Sequence, residues 1–182
     1  MPNCTTERLS SGFRTVVLEM PGMHQVQLSL FVPVGSRHEA AGDCGASHFV
    51  EHALFRGNAL IPDGDALNRA FEAVGGMLNA HTGVEATEYD LTLHPAHLEE
   101  SLRLLAAFLR APTFAELEKE RRILLDELSY DYNEDGRLVN VGTLSSQLMW
   151  PEHPLGQSVG GVPATIEALS EGAKIATKRL WG

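Results

Sequence analysis

The chain has 182 residues, a formal net charge of −10 and two cysteines. This length is enough for one domain with a hydrophobic core and is short for two. Nucleic-acid binding is not expected, because phosphate neutralisation needs clustered Lys and Arg, which this sequence does not show. A membrane span is not expected either, because no apolar run is long enough to cross a bilayer. The first residues lack the basic and then apolar pattern of a secretory signal, so we expect a cytoplasmic protein with free thiols.

The N-terminal third is predicted to contain two strands and a helix. Phe13 to Met20 and Gln25 to Val34 alternate apolar and polar residues and are rich in β-branched side chains. Pro21-Gly22 supplies the turn between them. A Gly- and Ala-rich stretch from Gly35 to Gly45 leads into a helix predicted from about Ala46 to Phe55.

The rest of the chain adds a hairpin and further helices. Asp63 to Val74 is predicted to be a helix, and it is followed by two strand-like pieces, Met77 to Thr82 and Thr87 to His94, with Gly83 to Ala86 between them. The remaining predictions are helices from His97 to Arg110, Glu116 to Asn133, Leu138 to Met149 and Ser170 to Leu180, and a loop from Trp150 to Pro163. The expected fold class is α+β, an antiparallel-rich sheet packed against several helices.

The clearest functional signal is the run His48-Phe-Val-Glu51-His52 on the first predicted helix. Two histidines four residues apart project from the same helix face and can converge on one metal ion. Glu51 lies on the same part of the helix, where its carboxylate could hold and deprotonate a water molecule. A surface helix without a metal is the alternative interpretation. The other histidines have no such partner and are expected at the surface or in the core, with His81 the least clear.

A catalytic zinc site usually has three protein ligands, so a third ligand is needed. The helix predicted to begin at Glu116 carries Glu120 and Glu127 on the same stripe as Leu124 and Leu128. Burying these carboxylates is costly without a cation or hydrogen-bond partner, so metal ligation by one and support from the other would explain the pattern. A solvated acidic face is an equally good interpretation of the stripe by itself.

The residues around the motif, from Gly45 to Gly57, resemble the insulinase or pitrilysin family of zinc metallopeptidases, which has the inverted His-x-x-Glu-His motif. The resemblance is especially close to peptidases associated with pyrroloquinoline quinone biosynthesis and to other bacterial processing peptidases. It extends through Asn79 to Thr82, Thr87 to Tyr89, Glu120 to Glu127 and His153 to Gly156, and so covers nearly the whole chain.

The resemblance implies a role for each matching residue. His48, His52 and Glu127 match the family's metal ligands, Glu51 its general base and Glu120 its supporting glutamate. It therefore implies one Zn2+ per chain and a zinc-dependent endopeptidase that hydrolyses peptides or small proteins.

The resemblance also implies a substrate site and a partner. Asn79 and Ala80 match the strand edge along which the family's substrates lie extended. Family enzymes enclose the substrate between a zinc-bearing half and a related half without zinc, so a second half-domain or partner chain is expected. Residues 1–182 are expected to be one zinc-bearing half-domain, without the family's usual final strand and helix. A noncatalytic or partner-dependent binding subunit and an inactive fragment are the competing interpretations.

Overall fold

The structure is a computed structural model, and it describes residues 3–169. Within this range it contains five β-strands and six α-helices, and all strand pairings are antiparallel. The predicted α+β class is therefore confirmed. The helix predicted from Ser170 to Leu180 lies outside the described residues.

The first two strands form a separate two-stranded sheet. β1 (Asn3–Arg8) pairs with β2 (Arg14–Glu19), and Asn3 lies opposite Glu19. The sequence predicts β2 within Phe13 to Met20 but does not predict β1, because this first segment is mostly polar and shows no apolar alternation. Pairing with β2 is what makes it a strand.

The second sheet has three strands in the order β3, β5, β4. β3 spans Val26–Val32, β4 spans Met77–Thr82 and β5 spans Thr87–Leu93. The amide of Gly83 donates to the carbonyl of Ala86 over 2.8 Å and closes the predicted hairpin between β4 and β5. Alternate residues of β5 are buried, so one face of this sheet packs against the helices, while β4 forms one of its edges.

Six α-helices lie within the described residues, and the first five agree with the predicted pattern except near their ends. They are α1 (Ala46–Leu54), α2 (Gly64–Ala73), α3 (Leu98–Arg110), α4 (Leu117–Ser129), α5 (Val141–Met149) and α6 (Pro163–Ala168). α4 ends before the predicted Asn133, because an antiparallel bridge between Tyr132 and Leu138 turns the chain back. Because of the same bridge, α5 begins at Val141 and not at the predicted Leu138, and the side chain of Asn140 caps its N-terminus. α6 is missing from the prediction, since the segment before it contains several turn residues.

α1 joins the two hydrophobic clusters of the molecule. Its Val50 and Leu54 belong to a cluster with residues of β5, α2 and α3, and its Ala46 and Phe49 belong to a second cluster with residues of α4 and α6 such as Leu124. All four side chains on α1 are buried. Because α1 is packed on two sides, its position and rotation are fixed, and with them the directions of the motif side chains.

We expect Gly45→Ala to destabilise the fold, because Gly45, the residue just before α1, has φ +91° and no free space around it. A Cβ atom there would lie 2.7 Å from Cδ1 of Ile166 and 2.8 Å from the carbonyl oxygen of Gly160. The left-handed backbone costs about 1–2 kcal/mol for a residue with a side chain, and overpacking adds about 1–3 kcal/mol. Denaturant unfolding measures the loss.

Gly22→Ala is the matched control. Gly22 has φ +93°, but nothing lies within 4 Å of the added Cβ atom. It should therefore show the backbone cost alone. Equal losses in the two variants would mean that close packing around Gly45 does not constrain the start of α1.

Candidate metal centre

The N-terminus of α1 is capped by Glu39, which comes from the loop before the helix. Its carboxylate accepts hydrogen bonds from the backbone amides of Gly45 at 2.7 Å and Ser47 at 2.6 Å. Burial raises the pKa of Glu39, and the hydrogen bonds from Ser47 and Gly45 oppose this shift. The two amides belong to the first turn, where a helix supplies no acceptor, so Glu39 fixes the start of the helix that carries the motif.

His48, His52 and Glu127 converge at the contact between α1 and α4. Nε2 of His48 lies 4.0 Å from Oε2 of Glu127, and Nε2 of His52 lies 3.7 Å from the same oxygen. The two imidazole rings are 4.7 Å apart between centroids and nearly perpendicular, at 82°. Within residues 3–169, these three are the metal-ligating side chains that lie close enough together to hold one ion.

The three side chains fit a zinc ion. Ligand atoms about 2.1 Å from a tetrahedral zinc are roughly 3.4 Å from one another, which is slightly less than the two separations from Glu127. The other ring nitrogen of His52, Nδ1, lies 3.2 Å from Oε2 of the buried Glu120. When the ring donates to this carboxylate, its proton is on Nδ1 and Nε2 is free towards Glu127. The geometry is compatible with the predicted ligand roles, which stay predictions.

His48 is held in the form that binds a metal. Burial, with smaller effects of the nearby His52 and His81, lowers the pKa of His48 to about 4. The imidazole of the folded, metal-free chain is therefore neutral near pH 7, and no proton has to be displaced before it can act as a ligand.

Glu51 is buried beside the ligand set and contacts the sheet. Its carboxylate accepts a hydrogen bond from the hydroxyl of Thr82, the last residue of β4. Burial raises the pKa of Glu51, and the Thr82 hydrogen bond, His52 and His81 oppose the shift. A carboxylate with a raised pKa is a stronger base than an exposed glutamate, which suits the predicted role in proton transfer.

The residues predicted to bind substrate lie on the edge strand. Asn79 and Ala80 belong to β4, where they pair with Asp90 and Tyr89 of β5. α1 contacts β4, so this edge lies next to the helix that carries the motif. The substrate role of Asn79 and Ala80 stays a prediction.

Three residues at or near the centre were not predicted from the sequence: Glu39, Thr82 and Arg56. Glu39 caps α1 from six residues before Gly45, whereas capping side chains are normally sought next to the helix. Thr82 reaches Glu51 only through the register of β4. Arg56 follows the C-terminus of α1 and forms an ion pair with Glu120. Its position four residues after His52 was the one signal available in the sequence.

An α+β fold with an inverted His-x-x-Glu-His helix and a glutamate from a neighbouring helix defines the inverted-motif class of metallopeptidase. The family profile described as "Insulinase (Peptidase family M16)" matches residues 14–161. The chain belongs to this family, as the sequence predicts.

Known proteins resemble the chain over nearly all of its length. An "Uncharacterized zinc protease" of Rickettsia bellii is 29% identical over 170 residues, which are 92% of this chain and 40% of the relative. A protease from Helicobacter pylori superposes with a TM-score of 0.86 at 22% identity, over 99% of this chain and 44% of that protein. A peptidase M16 inactive domain from Pseudomonas fluorescens superposes with a TM-score of 0.83 at 19% identity, over 96% of this chain and 42% of that one.

The chain spans about 40% of the length of the Rickettsia bellii relative and similar shares of the other curated relatives, such as 41% for Rickettsia felis. Among the described helices, none has the length and apolar character that a membrane span requires.

We expect His48 to make the metal-free fold less stable as the pH falls from about 6.5 to about 4, the interval between the ordinary pKa of histidine and that of His48. Within it the unfolded chain binds a proton at this imidazole and the folded chain does not, so acid favours unfolding. Compared with wild type, His48→Asn should lose less unfolding free energy over this interval, by up to about 3 kcal/mol. Denaturant titrations with a chelator present measure the difference.

His24→Asn is the control, because His24 is exposed. An exposed ring has similar surroundings in the folded and unfolded chain, so this variant should follow wild type. If His48→Asn also follows wild type, burial does not hold the His48 imidazole neutral.

Proposed function

We propose that the chain is a zinc-bearing domain of a metalloendopeptidase that hydrolyses peptides or small proteins. His48, His52 and Glu127 would hold the zinc ion, and Glu51 would be the general base. The observation that carries the proposal is the convergence of two imidazole Nε2 atoms on Oε2 of Glu127, at 4.0 and 3.7 Å. The zinc-protease name of the Rickettsia relative supports it.

Glu51 does the proton transfer in this proposal. A bound zinc ion supplies Lewis-acid polarisation of the scissile carbonyl and of the attacking water. Glu51 takes the proton from that water and returns it to the leaving amine, which its raised pKa favours near neutral pH. The hydroxyl of Thr82 holds the carboxylate at the end of β4 and so limits its rotation.

The edge of β4 would bind the substrate. A peptide that adds to this edge as a further strand uses main-chain hydrogen bonds and therefore tolerates many sequences. Asn79 and Ala80 would provide that edge beside α1.

A second homologous half-domain or a partner chain would complete the substrate chamber. The proposal is supported by the fraction of its relatives that this chain spans, about 40% of the Rickettsia zinc protease and 44% of the Helicobacter pylori protease. Hydrolysis is therefore best measured with and without candidate partner halves. The cytoplasmic location stays a prediction.

A noncatalytic peptide-binding or assembly subunit is the second candidate. The inactive M16 domain from Pseudomonas fluorescens, which superposes on this chain, shows that the same fold also occurs in a domain described as inactive. The presence of His48, Glu51 and His52 in this chain argues for the catalytic alternative.

The decisive variant is Glu51→Gln. It replaces the base with an amide of the same shape, so hydrolysis should fall by about 10²–10⁴-fold while bound zinc, measured by metal analysis, stays at the wild-type level. Glu72→Gln, an exposed glutamate on α2, is the control and should keep full activity. Undiminished hydrolysis by Glu51→Gln would reject the mechanism. A wild-type chain that binds zinc and peptide but hydrolyses nothing with any partner half would favour the noncatalytic subunit.

A further inference from the structure

Glu120 is an acidic side chain enclosed by protein, and its two oxygens have different partners. The residue is 1% exposed. Oε2 lies 3.2 Å from Nδ1 of His52, and Oε1 contacts Nε of Arg56 in an ion pair. The carboxylate therefore bridges an imidazole and a guanidinium that both come from the α1 segment, whereas Glu120 itself belongs to α4.

The bridge follows from helix geometry at the end of α1. Arg56 lies four residues after His52, and residues with this spacing occupy the same side of a helix. α1 ends at Leu54, and the amide of Arg56 still donates to the carbonyl of Ala53, so the backbone continues the helical turn as far as Arg56. Both side chains consequently face α4 at the position of Glu120.

A buried carboxylate needs a cation or several hydrogen bonds to offset its loss of hydration. Among the described residues, Arg56 supplies the permanent positive charge next to Glu120. The charge attraction between the guanidinium and Oε1 favours the orientation of the carboxylate in which Oε1 faces Arg56. Fixing one oxygen of a rigid carboxylate fixes the other, which is the oxygen facing Nδ1 of His52.

We propose that Arg56 is a positioning residue for the metal centre: it anchors Glu120, and Glu120 in turn orients the imidazole of His52 with Nε2 towards Glu127. This inference rests on the proposed zinc site. The opposing possibility is that the Arg56–Glu120 pair stabilises the fold without affecting the metal. Because a fold contribution and a metal contribution can occur together, the test has to separate them.

The test is a double-mutant cycle read out as zinc affinity of the full chain, measured by competition with a chelating dye. Arg56→Met and Glu120→Gln should each weaken zinc binding by about 10–100-fold, the range for residues that support a metal ligand. If Arg56 acts through Glu120, then adding Arg56→Met to Glu120→Gln should change the affinity less than twofold. If the fold-losses in zinc affinity of the two single variants instead multiply in the double variant, Arg56 does not act through Glu120.

Two further variants keep the test decisive. Arg56→Lys keeps the charge without the planar fork and should recover part of the lost affinity. Arg103→Met removes an arginine of the exposed pair with Glu99 and should leave zinc binding unchanged. If Arg56→Met fails to fold, Arg56→Gln takes its place in the cycle. Zinc affinity should then be highest for wild type, lower for Arg56→Lys and lowest for Arg56→Gln. Equal affinities in all folded variants would overturn the inference.

The imidazole of His52 provides a readout that a purely structural role would not move. In the metal-free wild type, ¹⁵N NMR of the histidine rings should show the proton of His52 on Nδ1, and Arg56→Met should give a mixture of the two tautomers. A wild type that binds no zinc would reject the proposed function. A wild type that binds zinc, together with an Arg56→Met variant of unchanged affinity and tautomer, would reject this inference alone.

Discussion

The packing of α1 against α4 is the interaction on which the candidate centre depends. Ala46 and Phe49 of α1 belong to the same buried cluster as Leu124 and Leu128 of α4. This contact brings Glu127, which is distant in sequence, next to the two motif histidines. The helical repeat then places the two glutamates of α4 differently: Glu120 faces the interior with Leu124, whereas Glu127 is half-exposed beside the histidines. One apolar contact therefore determines which acid lies beside Nδ1 of His52 and which lies beside the Nε2 atoms of both histidines.

Burial of this region has opposite consequences for its acids and its imidazole. Loss of hydration disfavours the charged form of every group, so it raises the pKa of Glu39 and Glu51 and lowers that of His48. The same environment thus gives a neutral imidazole, which can bind a metal, and a carboxylate with increased basicity. Hydrogen bonds lower the free-energy cost of keeping these acids ionised. Backbone amides at the start of α1 donate to Glu39, and the Thr82 hydroxyl donates to Glu51.

The local sequence pattern predicted which side chains lie close together when they belong to the same helix. It failed for side chains that are brought together by contacts between two different elements. The spacing of His48 and His52 and the stripe shared by Glu120 and Glu127 are properties of single helices, and both led to the residues that converge in the structure. The contacts of Glu39, Thr82 and Arg56 depend on how a loop, a strand end and a helix end meet their neighbours. The strand β1 was missed for the same reason, because its conformation depends on β2.

The fold alone cannot decide between an active and an inactive member of this family. The chain superposes almost equally well on a protease, with a TM-score of 0.86, and on an inactive domain, with a TM-score of 0.83. At 22% and 19% identity, neither likeness carries information beyond the architecture. What distinguishes a catalytic half is therefore the set of side chains on the shared scaffold. In this chain two imidazoles, the carboxylate of Glu51 and a carboxylate from α4 lie together, and Glu120 contacts both one of the imidazoles and the guanidinium of Arg56. Burying Glu120 costs free energy, which its contacts with His52 and with the guanidinium of Arg56 offset, so the cost and the compensation both lie beside the candidate centre.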